Sequence, residues 1–79
     1  MLKLKIVSPE RIIYDNLAES VIVPGTLSQF EILTNHAPII SSLTRGTVVY
    51  TTKEGQFKIT IAGGFVEVNN NHVNLCVEC

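Results

Sequence analysis

Three stretches of this chain alternate apolar and polar residues with period two, and no stretch sustains a helical pattern. Leu2-Lys3-Leu4-Lys5-Ile6, Phe57-Lys58-Ile59-Thr60-Ile61 and Val73-Asn74-Leu75-Cys76-Val77 place apolar side chains at every second position. On an extended backbone successive side chains point to opposite faces. Each run therefore predicts a half-buried strand, with Leu2, Leu4, Ile6, Phe57, Ile59, Ile61, Val73, Leu75 and Val77 turned inward. Nowhere does an i, i+3, i+4 apolar spacing persist for ten residues. The expected fold is all-β, a sandwich or barrel of many short strands.

The rest of the chain supplies strands and the signals that separate them. Ser8-Pro9-Glu10 ends the first run, because proline has no N–H for a ladder and biases Ser8 to extended geometry. Arg11-Ile12-Ile13-Tyr14 predicts a second short strand, closed by a turn at Asp15-Asn16. Ala18-Glu19-Ser20-Val21-Ile22-Val23 runs to a turn at Pro24-Gly25, where proline presets φ and glycine tolerates positive φ. A short apolar segment around Phe30, Ile32 and Leu33 is broken by Asn35-His36-Ala37-Pro38. Ile39-Ile40-Ser41-Ser42-Leu43 predicts a strand, and Thr44-Arg45-Gly46 turns it. Gly46-Thr47-Val48-Val49-Tyr50-Thr51-Thr52 is dense in β-branched residues that pack on a pleated surface. It leads through Lys53-Glu54-Gly55, a hairpin loop, into the second alternating run. Gly63-Gly64 between two strand-like runs predicts a bulge or corner where backbones approach closely. Asn69-Asn70-Asn71-His72 is a turn before the last strand.

The chain has 79 residues, one domain's worth spanning 1–79. A chain this short buries only about 60–65% of its unfolded surface, so its core gives a thin margin. Apolar residues make up 46% and charged residues only 16%. With so few charges to cover the surface, some apolar side chains are expected outside, as on a protein that docks onto a partner. The net charge of −1 comes without a run of either sign. That argues against nucleic acid, which needs a basic face to displace counterions. No apolar run approaches the roughly 20 residues of a membrane-spanning helix, and no signal peptide is evident at the start. The expectation is an intracellular protein, soluble or peripherally attached to a membrane.

Candidate chemistry is sparse. Cys76 and Cys79 form a C-x-x-C in a strand-like tail. Residues three apart on a strand point to opposite faces roughly 10 Å apart, too far for a disulfide. A zinc site needs more ligands than Cys76, Cys79 and His72 supply. The expectation is a small buried thiol and a frayed terminal one. Ser41 or Ser42 near His36 is not a catalytic motif, and no nucleophile elbow, phosphate loop or H-E-x-x-H occurs. His36 is expected to bond locally in its turn or to lie at an interface. The residues themselves describe a non-enzymatic β module with no catalytic, metal or cofactor site, and they leave its partner open. A free-standing β-sandwich that binds a small ligand or peptide is the alternative reading.

Two stretches taken together narrow the choice. Gly25, Phe30-Glu31-Ile32-Leu33 and Asn35-His36-Ala37-Pro38 are followed by Ala62-Gly63-Gly64-Phe65-Val66-Glu67-Val68. This resembles the epsilon subunit of the rotary proton-translocating ATP synthase, called delta in mitochondria. The family pattern is approximately Gly-x-x-Gly-Glu-x-Gly-Ile-Leu-Pro-x-His-Ala-Pro, then Ser/Ala-Gly-Gly-Phe-x-Glu-Val. Ile6-Val7-Ser8-Pro9-Glu10 also looks like the family's start. The likeness runs through essentially the whole chain. Departures concentrate in one loop: Ser28-Gln29-Phe30-Glu31 stands where Gly-Glu-x-Gly is usual, and Thr34 where proline is usual.

The resemblance implies a flattened sandwich of about ten short strands at the foot of the central stalk. It implies that the domain binds the gamma subunit along one side, sits on the ring of c subunits and turns with both. Proton flow would thereby be coupled to ATP synthesis without chemistry in the domain itself. By matching position, Ser28, Gln29 and Glu31 are expected to face the c-ring, and Ser8, His36 and Ser41 to lie toward gamma. Gly25, Pro38, Gly63 and Gly64 are expected to be structural turns. A member of this family is expected to be peripheral at the cytoplasmic face of the bacterial plasma membrane, or the organelle equivalent, and not to be an obligate homo-oligomer. Many members continue into a two-helix hairpin that inhibits ATP hydrolysis. This chain stops at Cys79, and is expected to dock and couple without inhibiting by that route.

Overall fold

Each alternating run is a strand in the computed structural model, which describes residues 1–79. Nine strands follow one another: β1 (Leu2–Val7), β2 (Ile12–Ala18), β3 (Ser20–Pro24), β4 (Gln29–Ile32), β5 (Ile39–Leu43), β6 (Gly46–Thr52), β7 (Gly55–Ile61), β8 (Gly63–Asn69) and β9 (His72–Glu78). They form a five-stranded sheet in the order β2-β1-β9-β8-β5 and a four-stranded sheet in the order β4-β3-β6-β7. The two sheets stack as a flattened β-sandwich whose principal extents are 26 × 24 × 18 Å. The count is one strand short of the ten that the resemblance implies.

The first and last strands lie side by side in parallel, with Leu4 opposite Val73 and Ile6 opposite Leu75. That pairing puts two of the alternating runs at the centre of the larger sheet. Leu2, Leu4, Ile6, Val73 and Leu75 have no exposed surface, and Val66, Val68, Val21, Val23, Ile32 and Val48 are among the residues buried in the core with them. Side chains of this size stabilise by about 1.5–3 kcal/mol each when fully buried. The hairpin turn before β9 is closed by Asn70 and Asn71, both at positive φ (50° and 62°). Asparagine tolerates that conformation, and two such residues make the tight turn that matches the strand twist.

Several local expectations give way to tertiary structure. Asp15-Asn16 does not turn the chain: β2 continues through it, with Asp15 opposite Lys5 and Asn16 opposite Leu4. The ladder to β1 outweighs a local turn preference, and at a sheet edge both side chains stay in solvent. The chain changes sheets at Glu19, whose N–H donates to the Thr51 carbonyl at 2.7 Å. Pro24 is still strand. Gly25 is not at positive φ; it bridges to Leu43. Glycine is required there by space, because a Cβ would meet the Ser28 carbonyl at 2.5 Å and the Phe30 ring at 2.9 Å.

The double glycine divides in two. Gly64 has φ +147°, and a Cβ there would collide with the Cys76 carbonyl and meet Val77 Cα at 2.9 Å. Gly63 has only an ordinary contact with the Leu43 carbonyl at 3.6 Å. The close approach expected of the pair therefore belongs to Gly64 alone. Pro38 lies in the irregular segment leading into β5. Phe57, expected inward, is 43% exposed although its ring stacks on Tyr50 with centroids 5.5 Å apart. Cys76 is half-buried instead of buried, Cys79 is exposed, and both thiols are free.

Candidate functional site

Strand register defines two ends of the sandwich. β1, β9 and β5 run one way, and at the end they run toward, Gly25, just past β3, makes an antiparallel bridge to Leu43. The loop between β3 and β4 starts at this end and runs beside β5. It is anchored at its base, where the Thr26 N–H and hydroxyl both donate to the Ser42 carbonyl (3.2 and 2.9 Å). Beyond that anchor Leu27 is fully exposed, at 101%, and Ser28 and Gln29 are exposed beside it. Glu31 is exposed on β4, opposite Ile22. The three residues expected at the ring are therefore all exposed on the end of this loop and on β4, next to an exposed leucine. Ser28 also lines a groove with Leu27, Phe30, Ile40 and Ser41, between the loop and the free edge of β5. That groove unites a residue expected at the ring with one expected at gamma.

Ser8 lies at the same end, past β1, but across the larger sheet from β5. Its hydroxyl is occupied locally, donating to the Arg11 carbonyl at 3.2 Å and accepting from the Arg11 N–H at 3.3 Å. Next to it the outer face of the sheet carries an apolar row set by register: Ile12 opposite Val7, Val7 beside Cys76, Cys76 opposite Phe65. Ile12 and Phe65 are exposed, and Val7 and Cys76 half-buried. Sequence reasoning expected exposed apolar residues without saying which. Phe65 was available from the pattern, since Val66 and Val68 face inward and put their neighbour out.

His36 occupies the opposite end, in the turn between β4 and β5. Its N–H donates to the Leu33 carbonyl at 3.1 Å, closing a four-residue turn with Asn35 at φ 67° in the third position. Its Nδ1 donates to the Ala37 carbonyl at 2.7 Å, and its ring lies 6.4 Å from that of Phe30. The histidine is half-buried. Ser8, Ser41 and His36 thus form no single cluster. They are spread across the larger sheet and along its β5 edge, so one partner would have to lie along that sheet to reach all three.

No His–Ser hydrogen bond exists: the Ser41 hydroxyl donates to the Ser42 carbonyl at 3.1 Å. No three His, Cys, Asp or Glu side chains are grouped as a metal site would need. No helix is long and apolar enough to cross a membrane. The one displaced titration is that of Tyr14, away from these residues. Burial first, then the Tyr50 hydroxyl and the Glu54 carboxylate, push its hydroxyl above the ordinary 10.0.

Comparison with known proteins agrees with this architecture. The sequence model of the ATP synthase delta/epsilon chain β-sandwich domain matches residues 1–79. An ATP synthase epsilon chain of Desulfitobacterium hafniense is 43% identical over 75 residues, covering 95% of this chain and 57% of that protein. One of Microcystis aeruginosa is 37% identical over 73 residues, covering 92% and 53%. The chain thus spans little more than half the length of these curated relatives. Among solved structures, a chain of the Euglena gracilis mitochondrial ATP synthase superposes with a TM-score of 0.89 at 18% identity, covering 96% of this chain and 49% of that one. A chain of the Tetrahymena thermophila ATP synthase central stalk and c-ring gives 0.84 at 14%, covering 99% and 63%. With a family match across its whole length and relatives well above 30% identity, the chain belongs to the β-sandwich domain family of ATP synthase delta/epsilon chains.

Proposed function

We propose that this domain belongs to a non-catalytic rotor subunit of the proton-translocating ATP synthase. In this reading it docks the gamma subunit to the c-ring and couples proton flow to ATP synthesis. The observation that carries it is the family match over all 79 residues. The protein then works as a peripheral subunit at the cytoplasmic face of a bacterial plasma membrane, or the corresponding face in an organelle. The ring-facing element is the set of Ser28, Gln29 and Glu31, which offers one carboxylate, one amide and one hydroxyl to polar loops. All three are exposed and none is tied to a neighbouring side chain, which supports the assignment. The gamma-facing elements are Ser8, His36 and Ser41. Ser8 contributes shape instead of a free hydroxyl, because Arg11 already occupies it.

The full-length protein, tagged and recovered from native membranes under mild detergent, should bring gamma and c subunits with it. Recovery in their absence would overturn the reading. Replacing His36 by alanine should weaken docking to gamma while the melting temperature moves little, since its hydrogen bonds are exposed ones. An equal loss of thermal stability would make the histidine structural.

A further inference from the structure

Two asparagines 36 positions apart hold each other at the His36 end of the sandwich. The Asn35 N–H donates to Asn71 Oδ1 at 2.6 Å, and Asn71 Nδ2 donates back to Asn35 Oδ1 at 3.2 Å. Both residues sit at positive φ, 67° and 62°, each in its own turn. Asn71 is itself held from behind. It lies in the two-residue turn between the paired Asn69 and His72, and its carbonyl accepts from the Lys3 N–H at 2.8 Å. One side of this pair is thus tied to the β1–β9 centre of the larger sheet. The other side is the corner that carries His36, Ala37 and Pro38.

The chemistry of the pair is specific. The site needs a backbone that tolerates positive φ and a side chain with an acceptor and a donor in one plane. Glycine meets the first need only, and aspartate lacks the donor. Apart from this pair, the hydrogen bonds of the corner are internal to it, from His36 to Leu33 and Ala37. Those bonds shape the turn but do not fix it to the body of the domain.

We infer that Asn71 is a positioning residue: its amide holds the His36 corner in docking geometry before any partner arrives. This rests on the reading that the corner meets gamma. A surface element fixed in advance binds more tightly because less ordering remains to be done on association.

The test is Asn71→Gly in the full-length protein, which keeps the turn's backbone and removes the amide. Asn70→Gly serves as control at a neighbouring positive-φ position. Amide hydrogen exchange is read by NMR, and affinity is measured for purified gamma bound to its c-ring. In Asn71→Gly the Asn35 amide should exchange about tenfold faster, the scale of one lost hydrogen bond, and affinity should fall several-fold. The Lys3 amide should be unchanged, because its acceptor is the main-chain carbonyl of residue 71. Asn70→Gly should change neither Asn35 exchange nor affinity. Asn71→Asp, which retains the acceptor, should fall between wild type and Asn71→Gly. Unchanged Asn35 exchange in Asn71→Gly overturns the positioning role. Equal acceleration at Lys3 overturns it too, because the whole hairpin would then have loosened. Faster Asn35 exchange with full affinity leaves the positioning role standing and overturns the assignment of the corner to gamma.

Discussion

β1 and β7 carry the same sequence pattern and meet different fates. In β1, Leu2, Leu4 and Ile6 are all completely buried. Along β7 the same spacing gives an exposed Phe57, a half-buried Ile59 and an Ile61 only 1% exposed. The cause is position. β1 lies between β2 and β9, whereas β7 is the last strand of its sheet. At the Ile61 end the chain crosses to the other sheet, and the Ala62 N–H donates to the Glu78 carbonyl at 2.6 Å, closing that end. At the hairpin end the facing sheet reaches only as far as Tyr14 on Tyr50, with ring centroids 4.8 Å apart, so Phe57 overhangs. Period two tells which face a side chain takes. Sheet order tells whether anything covers it.

The largest effect expected of a single change falls on neither strand but on the corner that joins β7 to the larger sheet. Gly64→Val would place a branched side chain at φ +147°, against the Cys76 carbonyl. Main chain of a central strand cannot move aside cheaply. A loss on the order of 4 kcal/mol is expected, a large part of the 5–15 kcal/mol that holds such a domain together. Gly63→Ala meets only an ordinary contact and should cost under about 1 kcal/mol. Urea unfolding of the two variants measures the gap. Similar losses would show that the corner bends equally at both residues.

The comparison of strands can then be broken directly. Leu4→Ala removes a fully enclosed side chain and should cost about 2–5 kcal/mol. Phe57→Ala removes a larger side chain but only a half-open stack on Tyr50, and should cost roughly 1 kcal/mol. If Phe57→Ala proves as damaging as Leu4→Ala, the hairpin end of β7 is closed in solution and the contrast fails.

These strands also show how much the sequence alone could reveal. The strand runs, the inward faces of β1 and β9 and the asparagine turn were legible because each depends on residues within about seven positions of one another. The failures have one origin. Asp15-Asn16 reads locally as a turn, and only the partner β1 keeps it extended. Gly25 reads as a positive-φ glycine; Ser28 and Phe30 are near it in sequence, but only the path of the folded loop turns them back onto it and makes its constraint one of space. The candidate site follows the same rule. Its loop and its His36 corner could be found from motif residues, but the pairing of Asn35 with Asn71 joins two turns that no local pattern connects. The apolar row of Ile12, Val7, Cys76 and Phe65 appears only once four strands are set in register.

The smallest effect tests the open end of β7 from across the sandwich. Tyr14 begins the aromatic row that passes through Tyr50 to Phe57, and its hydroxyl donates to the Leu17 carbonyl at 2.6 Å. Burial, Tyr50 and Glu54 raise its folded-state value above 10.0, so the folded protein holds this proton longer than the unfolded chain. The contribution is complete below about pH 10. It is lost as pH climbs through the raised folded value, where the unfolded state already binds fewer protons. Tyr14→Phe should therefore give a shallower fall of melting temperature between about pH 9 and 11 than wild type. Identical slopes would mean that Tyr14 titrates as it does in water. Phe57→Ala refines the experiment, because opening the far end of the row should let solvent nearer to Tyr50 and bring the wild-type slope partway toward that of Tyr14→Phe. If Phe57→Ala leaves the slope untouched, the aromatic row is a set of separate contacts and the exposed end of β7 has no influence beyond Tyr50.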